Sequence, residues 1–131
     1  MKSLFRLLLG DRGERTAVTF LKRQGMRILE RGYRNSYGEV DIIALDGRQI
    51  VFVEVKTRTS LDKGQPFEAV DRRKQQTLTQ IALSWLKQNH RLEHSARFDV
   101  VSILWPLGSR EPEVTHFRNA FEAVSDRRMF G

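Results

Sequence analysis

The sequence predicts an α/β fold with helices packed on a central mixed sheet, and three observations carry that prediction. Residues 39–57 read as two apolar strands joined by Asp46-Gly47, a strong short-range hairpin signal. Both sides of this hairpin are apolar: Val40, Ile42, Val51, Val53 and Val55 on one, Ile43, Leu45, Ile50 and Phe52 on the other. Strands covered on both faces lie inside an α/β layer. The flanking stretches instead repeat at helical spacing, with Glu14, Val18 and Leu21 before the hairpin and Leu78, Ile81, Ala82, Trp85 and Leu86 after it. A further apolar run at Arg97–Trp105 follows the second helical stretch, giving the order α-β-β-β-α-β.

Taken in order, Asp11-Arg12-Gly13-Glu14 fits a capping box with Asp11 as N-cap, and the helix it opens stops at Gly25. Met26–Tyr33 suits a first strand and Asn35–Gly38 a turn. Glu39–Leu45 and Arg48–Thr57 form the hairpin, and Thr59–Pro66 is a polar loop. Phe67–Asn89 reads as a long helix, with Trp85 in its buried stripe. Arg97–Trp105 is a strand closed by Pro106. Gly108–Pro112 is a turn, Glu113–Phe117 a short edge strand, and Phe121–Val124 a helical turn.

The chain of 131 residues suits a single domain, 1–131, with residues 1–10 as a loosely ordered N-terminus. The apolar run at its start is broken by Arg6 and is too short for a secretory core, and no stretch approaches the roughly 20 apolar residues of a membrane span. Cysteine is absent, which excludes disulfides and thiolate metal sites and agrees with a reducing compartment; a cytoplasmic protein is expected. His90, His94 and His116 show no zinc-binding spacing.

The net charge is +7 and is unevenly placed: residues 1–36 hold nine Lys/Arg against three Asp/Glu, a net of +6, and the remainder fourteen against thirteen, a net of +1. A basic end on a balanced domain points to an anionic polymer, with nucleic acid the expected partner.

Charges interrupt the hairpin at Glu39, Asp41, Glu54 and Lys56. Ionised groups in a core strand are costly unless paired or bound to a metal. A loop at Asp46-Gly47 sets Leu45 opposite Arg48, Asp41 opposite Phe52 and Glu39 opposite Glu54. All four charged side chains then share one face, with Asp41 and Glu54 as diagonal neighbours about 7–8 Å apart. Two such carboxylates suit a hard divalent cation, which takes one or two carboxylates plus waters and phosphate oxygens. Lys56 on the same face could orient an attacking water or hold a phosphate, a set suited to phosphodiester hydrolysis. Glu14, on the inward face of the first helix, is a further candidate. An ordinary salt-bridge network among Glu39, Glu54 and Lys56 is the alternative.

Glu14, Gly38-Glu39-Val40-Asp41 and Val53-Glu54-Val55-Lys56-Thr57-Arg58 resemble the YraN family of endonuclease-like proteins, and the similarity extends from about Gly13 through Arg97–Val101. That family is similar to archaeal Holliday-junction resolvases in the PD-(D/E)xK, restriction-endonuclease-like superfamily. The resemblance implies a three-layer α/β/α fold, Mg²⁺ or Mn²⁺ as cofactor with no small-molecule cofactor, and DNA as substrate, branched or structured DNA included. It also implies a homodimer. By position, it implies that Asp41 and Glu54 are metal ligands, Lys56 is the active-site lysine and Glu14 is the first-helix glutamate. Val40 stands where the superfamily name has proline.

Arg15, Arg34, Arg58 and Lys74 are the expected phosphate contacts, each at an element end near the hairpin or a helix start. The cluster Arg72-Arg73-Lys74 opposes the helix dipole, a cost that phosphate binding would offset. Tyr33 and Tyr37 flank the site turn. The expected function is a metal-dependent DNA nuclease. A non-catalytic nucleic-acid-binding or scaffolding domain on the same fold is the alternative, and an RNA nuclease a third reading.

Overall fold

The computed structural model describes residues 4–62 and 70–124. Its elements are α1 (Leu4–Arg23), β1 (Arg27–Asn35), β2 (Gly38–Asp46), β3 (Gln49–Arg58), α2 (Arg72–Gln88), β4 (Ala96–Leu104) and β5 (Glu113–Phe121). The strands form one five-stranded sheet in chain order, antiparallel except for the parallel β3–β4 pair that α2 connects. Each helix covers one face, giving the three-layer α/β/α arrangement. Against α1 lie Ile42, Ala44, Val51, Val53, Val101 and Ile103. Against α2 lie Ile43, Ile50, Phe52, Phe98 and Val100, with Trp85 edge-on to Phe52 at 5.9 Å between ring centroids. Trp85 is a core residue, as its helical spacing predicts.

Helix α1 starts at Leu4, a full two turns before the expected N-cap. Residues 4–9 are mostly leucine, a strong helix former, and carry the helix onward. Asp11 is therefore interior, and its carboxylate pairs with Arg15 one turn later at 3.0 Å. The early turns leave Leu4, Phe5, Leu7 and Leu8 more than half exposed. Gly13 is needed for close approach: a Cβ there would lie 1.9 Å from Thr57 Oγ1, so the glycine lets α1 rest directly on β3.

The hairpin register differs from the expected one by two. Asp46 pairs with Gln49 and Ile42 with Val53, so the loop is Gly47-Arg48. Gly47 has φ +61, as the first position of a type II′ turn requires. The parity is unchanged, so the expected core faces survive from Ile42 through Val55, with Val40 the exception, and one further step would set Asp41 directly opposite Glu54.

Other boundaries shift for local reasons. The side chain of Asp71 caps α2 by accepting from the Lys74 N–H at 2.9 Å, so Val70 and Asp71 precede the helix; the rest of its expected start, 67–69, lies outside the described residues. Strand β5 runs to Phe121, which stacks on Phe98 at 4.8 Å, and this replaces the expected helical turn at Phe121–Val124. The Val124 N–H donates to Thr79 Oγ1, tying the segment after β5 to α2.

Candidate active site

The regular alternation of β2 breaks at Asp41. Strict alternation, as the sequence suggests, would place Val40 with Ile42; instead Val40 joins Ile43 in the core under α2, while Ile42 faces α1. The β2–β3 ladder ends in the same place, at Ile42↔Val53. Beyond it, Asp41 Oδ2 accepts the Val55 N–H at 2.7 Å, a donor that a β2 carbonyl would otherwise satisfy. The side chain of Asp41 is thus built into the sheet at the point where the strands part.

Glu54 lies across this opening and is 6% exposed. Its Oε2 has no hydrogen bond among the described residues. Lys74 Nζ, from the first turn of α2, stands 3.4 Å away, a charge contact rather than a directed bond. Burial pushes the Asp41 carboxyl up to about 8, helped by the hydrogen bond it shares with Glu54 and by the Glu54 charge; the Val55 N–H and the Lys56 ammonium pull it back. Glu14 is raised too, chiefly by burial and then by Asp41, against the pull of Arg31, whose Nε lies 3.4 Å from Glu14 Oε1. The two strands and α1 therefore gather more negative charge than the neighbouring cations offset.

A second buried aspartate shows what full compensation looks like. Asp99, 1% exposed, faces the α1 side on β4. Burial alone would raise its carboxyl, but hydrogen bonds from His116, Arg97 and the Asn119 N–H reverse the effect and hold it below the usual range. Arg97 also pairs with Asp46 at 2.9 Å. This network closes the bulge between β4 and β5. Sequence reasoning missed it because its members, Asp46, Arg97, Asp99 and His116, come from three separate strands, β2, β4 and β5. Asp99 is satisfied and structural; Glu54 Oε2 has no such partner among the described residues, and Asp41 has one backbone donor where Asp99 has three donors.

The remaining sequence-predicted residues fall in distinct places. Lys56 is half-buried on β3, close enough for its charge to act on Asp41. Glu39 turns away from Glu54 to pair with Arg34. Arg58 ends β3, its carbonyl accepting the Trp105 N–H at 2.7 Å. Arg15 lies with Asp11 on an exposed flank of α1. Tyr33 bonds Gln88, and Tyr37 is exposed.

Residues 13–103 match a family described as "Uncharacterised protein family UPF0102", the YraN family of the sequence resemblance. The chain belongs to this family. It is 48% identical over 120 residues to a UPF0102 protein of Geobacter metallireducens, covering 92% of this chain and 97% of that one. A UPF0102 protein of Trichlorobacter lovleyi is 50% identical over 115 residues, 87% and 90% of the two chains. One from Rhodococcus opacus is 45% identical over 115 residues, 88% and 97%. Membership agrees with a nuclease-like fold. The matched span contains Glu14, Asp41, Glu54 and Lys56.

Among the described residues, no cluster of three or more His, Asp or Glu side chains forms a closed metal cage. A Mg²⁺ or Mn²⁺ site does not need one, because water and phosphate oxygens complete its shell. The donor set fits such an ion: two adjoining carboxylates, one oxygen unbonded, and a proton held where a cation would relieve the repulsion. Among the described residues, no helix is long and apolar enough to cross a membrane.

Proposed function

We propose that this protein is a metal-dependent nuclease that hydrolyses phosphodiester bonds in DNA. The observation that carries the reading is the buried, undercompensated Asp41–Glu54 pair beside Lys56. Asp41 and Glu54 would hold Mg²⁺ or Mn²⁺, which when bound polarises the phosphoryl group and acidifies water. The chain's own groups do the rest. The Val55 N–H fixes the Asp41 carboxylate, and the Lys74 ammonium stands 3.4 Å from Glu54 Oε2. The Lys56 ammonium donates to a phosphate oxygen or, once deprotonated, takes the proton of the attacking water. Glu14, held by Arg31, is placed to orient that water. Arg58, next but one along β3, grips the flanking backbone.

The test is cleavage of linear, flapped and branched DNA with Mg²⁺ or Mn²⁺. Asp41→Asn and Glu54→Gln should each abolish cutting while leaving the fold intact; a wild-type rate in either variant rejects the mechanism. A binding module on the same fold is the competing reading, favoured by the ion pair that Lys74 already makes with Glu54. It predicts salt-sensitive DNA binding without cleavage.

A further inference from the structure

On the flank of α1 away from Glu14, an open cleft of about 670 Å³ separates the helix from the β4–β5 connection. Arg12, Arg15 and Arg23 line it from α1, and Arg110 from the opposite wall, against the single acid Glu111. Arg15 is partly neutralised by Asp11. Arg23 and Arg110 have no ion-pair partner among the described residues. The Arg12 guanidinium lies over the Trp105 ring, 4.4 Å from its centroid, and the indole is fixed by Nε1–H donating to the Ser109 carbonyl at 3.0 Å.

The cleft opens on the α1 face, at the same end of the parallel β3–β4 pair as the carboxylate site. Parallel pairing sets Arg58 beside Leu104, and the Arg58 carbonyl accepts the Trp105 N–H. Trp105 with Arg12, and then Arg110 and Arg23, therefore mark a basic path on the α1 face that starts one strand away from the end of β3. From Arg12 to Arg23 the helix rises roughly 16 Å. That spans only a few phosphates of an extended single strand, whose phosphates lie farther apart than the roughly 3.4 Å rise of a duplex strand. The Arg12–Trp105 stack offers a flat cationic platform for an unpaired base, which a duplex cannot present.

We infer that this cleft holds a single strand of DNA leading away from the cleavage site, with its phosphates on Arg23 and Arg110 and an unpaired base against the Arg12–Trp105 stack. The inference rests on the nuclease reading for its substrate. It assigns the substrate a single-stranded arm, and the binding it describes needs no metal.

Fluorescence anisotropy of the full chain in EDTA, with a labelled single strand and the matching duplex, tests it across 50–200 mM salt. Arg23→Ala/Arg110→Ala should weaken single-strand binding about tenfold at 100 mM salt and flatten the log–log salt slope by about 1.4, two phosphate contacts' worth. Duplex binding should change less than threefold. Arg48→Ala/Arg91→Ala removes the same charge away from the cleft and should change neither. Unaltered single-strand binding in the Arg23/Arg110 variant overturns the inference. So does an equal loss in the Arg48/Arg91 control, or an equal loss for the duplex. If the wild-type chain binds as described but cuts nothing, the cleft stands and the nuclease reading falls. If it cuts DNA and the Arg23/Arg110 variant binds and cuts equally well, the cleft alone falls.

Discussion

Asp41→Asn should make the metal-free protein more stable at alkaline pH, the reverse of what removing a buried charged group from a satisfied network does. The Asp41 carboxyl is raised from 3.8 to about 8, chiefly by burial and by Glu54. A folded-state value above the unfolded one means that the native protein binds the extra proton between these limits. Stability is then fullest below about pH 4 and is lost as pH climbs through about 8. The full displacement is worth about 6 kcal/mol. Sharing of the proton with Glu54 and hydration at the mouth of the site reduce this, so we expect about 2–3 kcal/mol. For a chain of this size that is about 10 °C in Tm. The asparagine keeps an oxygen for the Val55 N–H and removes the repulsion. Differential scanning calorimetry in EDTA at pH 5, 7 and 9 should show wild type and variant together at pH 5 and the variant about 10 °C higher at pH 9. Parallel curves, or a variant less stable by the same amount throughout, would refute the claim that the pair is undercompensated.

Millimolar Mn²⁺ at pH 8 should raise the wild-type Tm by several degrees, as any ligand selective for the native state does. The shift should vanish in Glu54→Gln and shrink at pH 6, where protons compete for the same oxygens; thermal shift assays read both. Asp99→Ala should cost about 3 kcal/mol by unpairing His116 and the Asn119 N–H and leaving Arg97 to Asp46 and Gln49, visible as a lower denaturant midpoint at neutral pH. Because the Asp99 carboxyl is held below its ordinary value, its contribution is present at neutral pH and lost as acid protonates it, opposite in sign to Asp41. Gly13→Ala should destabilise by about 1–3 kcal/mol, since its Cβ would meet Thr57 Oγ1 at 1.9 Å, and chemical denaturation measures the loss.

The hairpin was the most legible part of the chain, because apolar residues on both faces leave few places for strands to sit. Its parity could be read although its register could not. Asp46-Gly47 advertises a turn, but either Asp46-Gly47 or Gly47-Arg48 can occupy the two central positions, and only the backbone torsion of Gly47 decides. The slip at Val40 was invisible, since a valine packs equally well on either face. The same slip gives Asp41 its bond to Val55, so the detail that shapes the site is one that residue types do not encode. The start of α1 departs from the capping signal at Asp11 because the leucine-rich run before it is itself a strong helix former. The length of β5 depends on the Phe98–Phe121 stack and the Asp99–Asn119 bond, both long-range contacts. Glu54 and Lys56 could be located because two charges in a valine-rich strand need a reason.

On the nuclease reading proposed above, the bond from Asp41 to the Val55 N–H gives that aspartate two employments, one in the architecture and one in the chemistry. Glu54 has only the second. A descendant of this protein that had abandoned catalysis would gain from losing the glutamate, yet would unravel a seam of its sheet by losing the aspartate. In any such chain the glutamate, rather than the aspartate, is the residue whose presence signals a working enzyme.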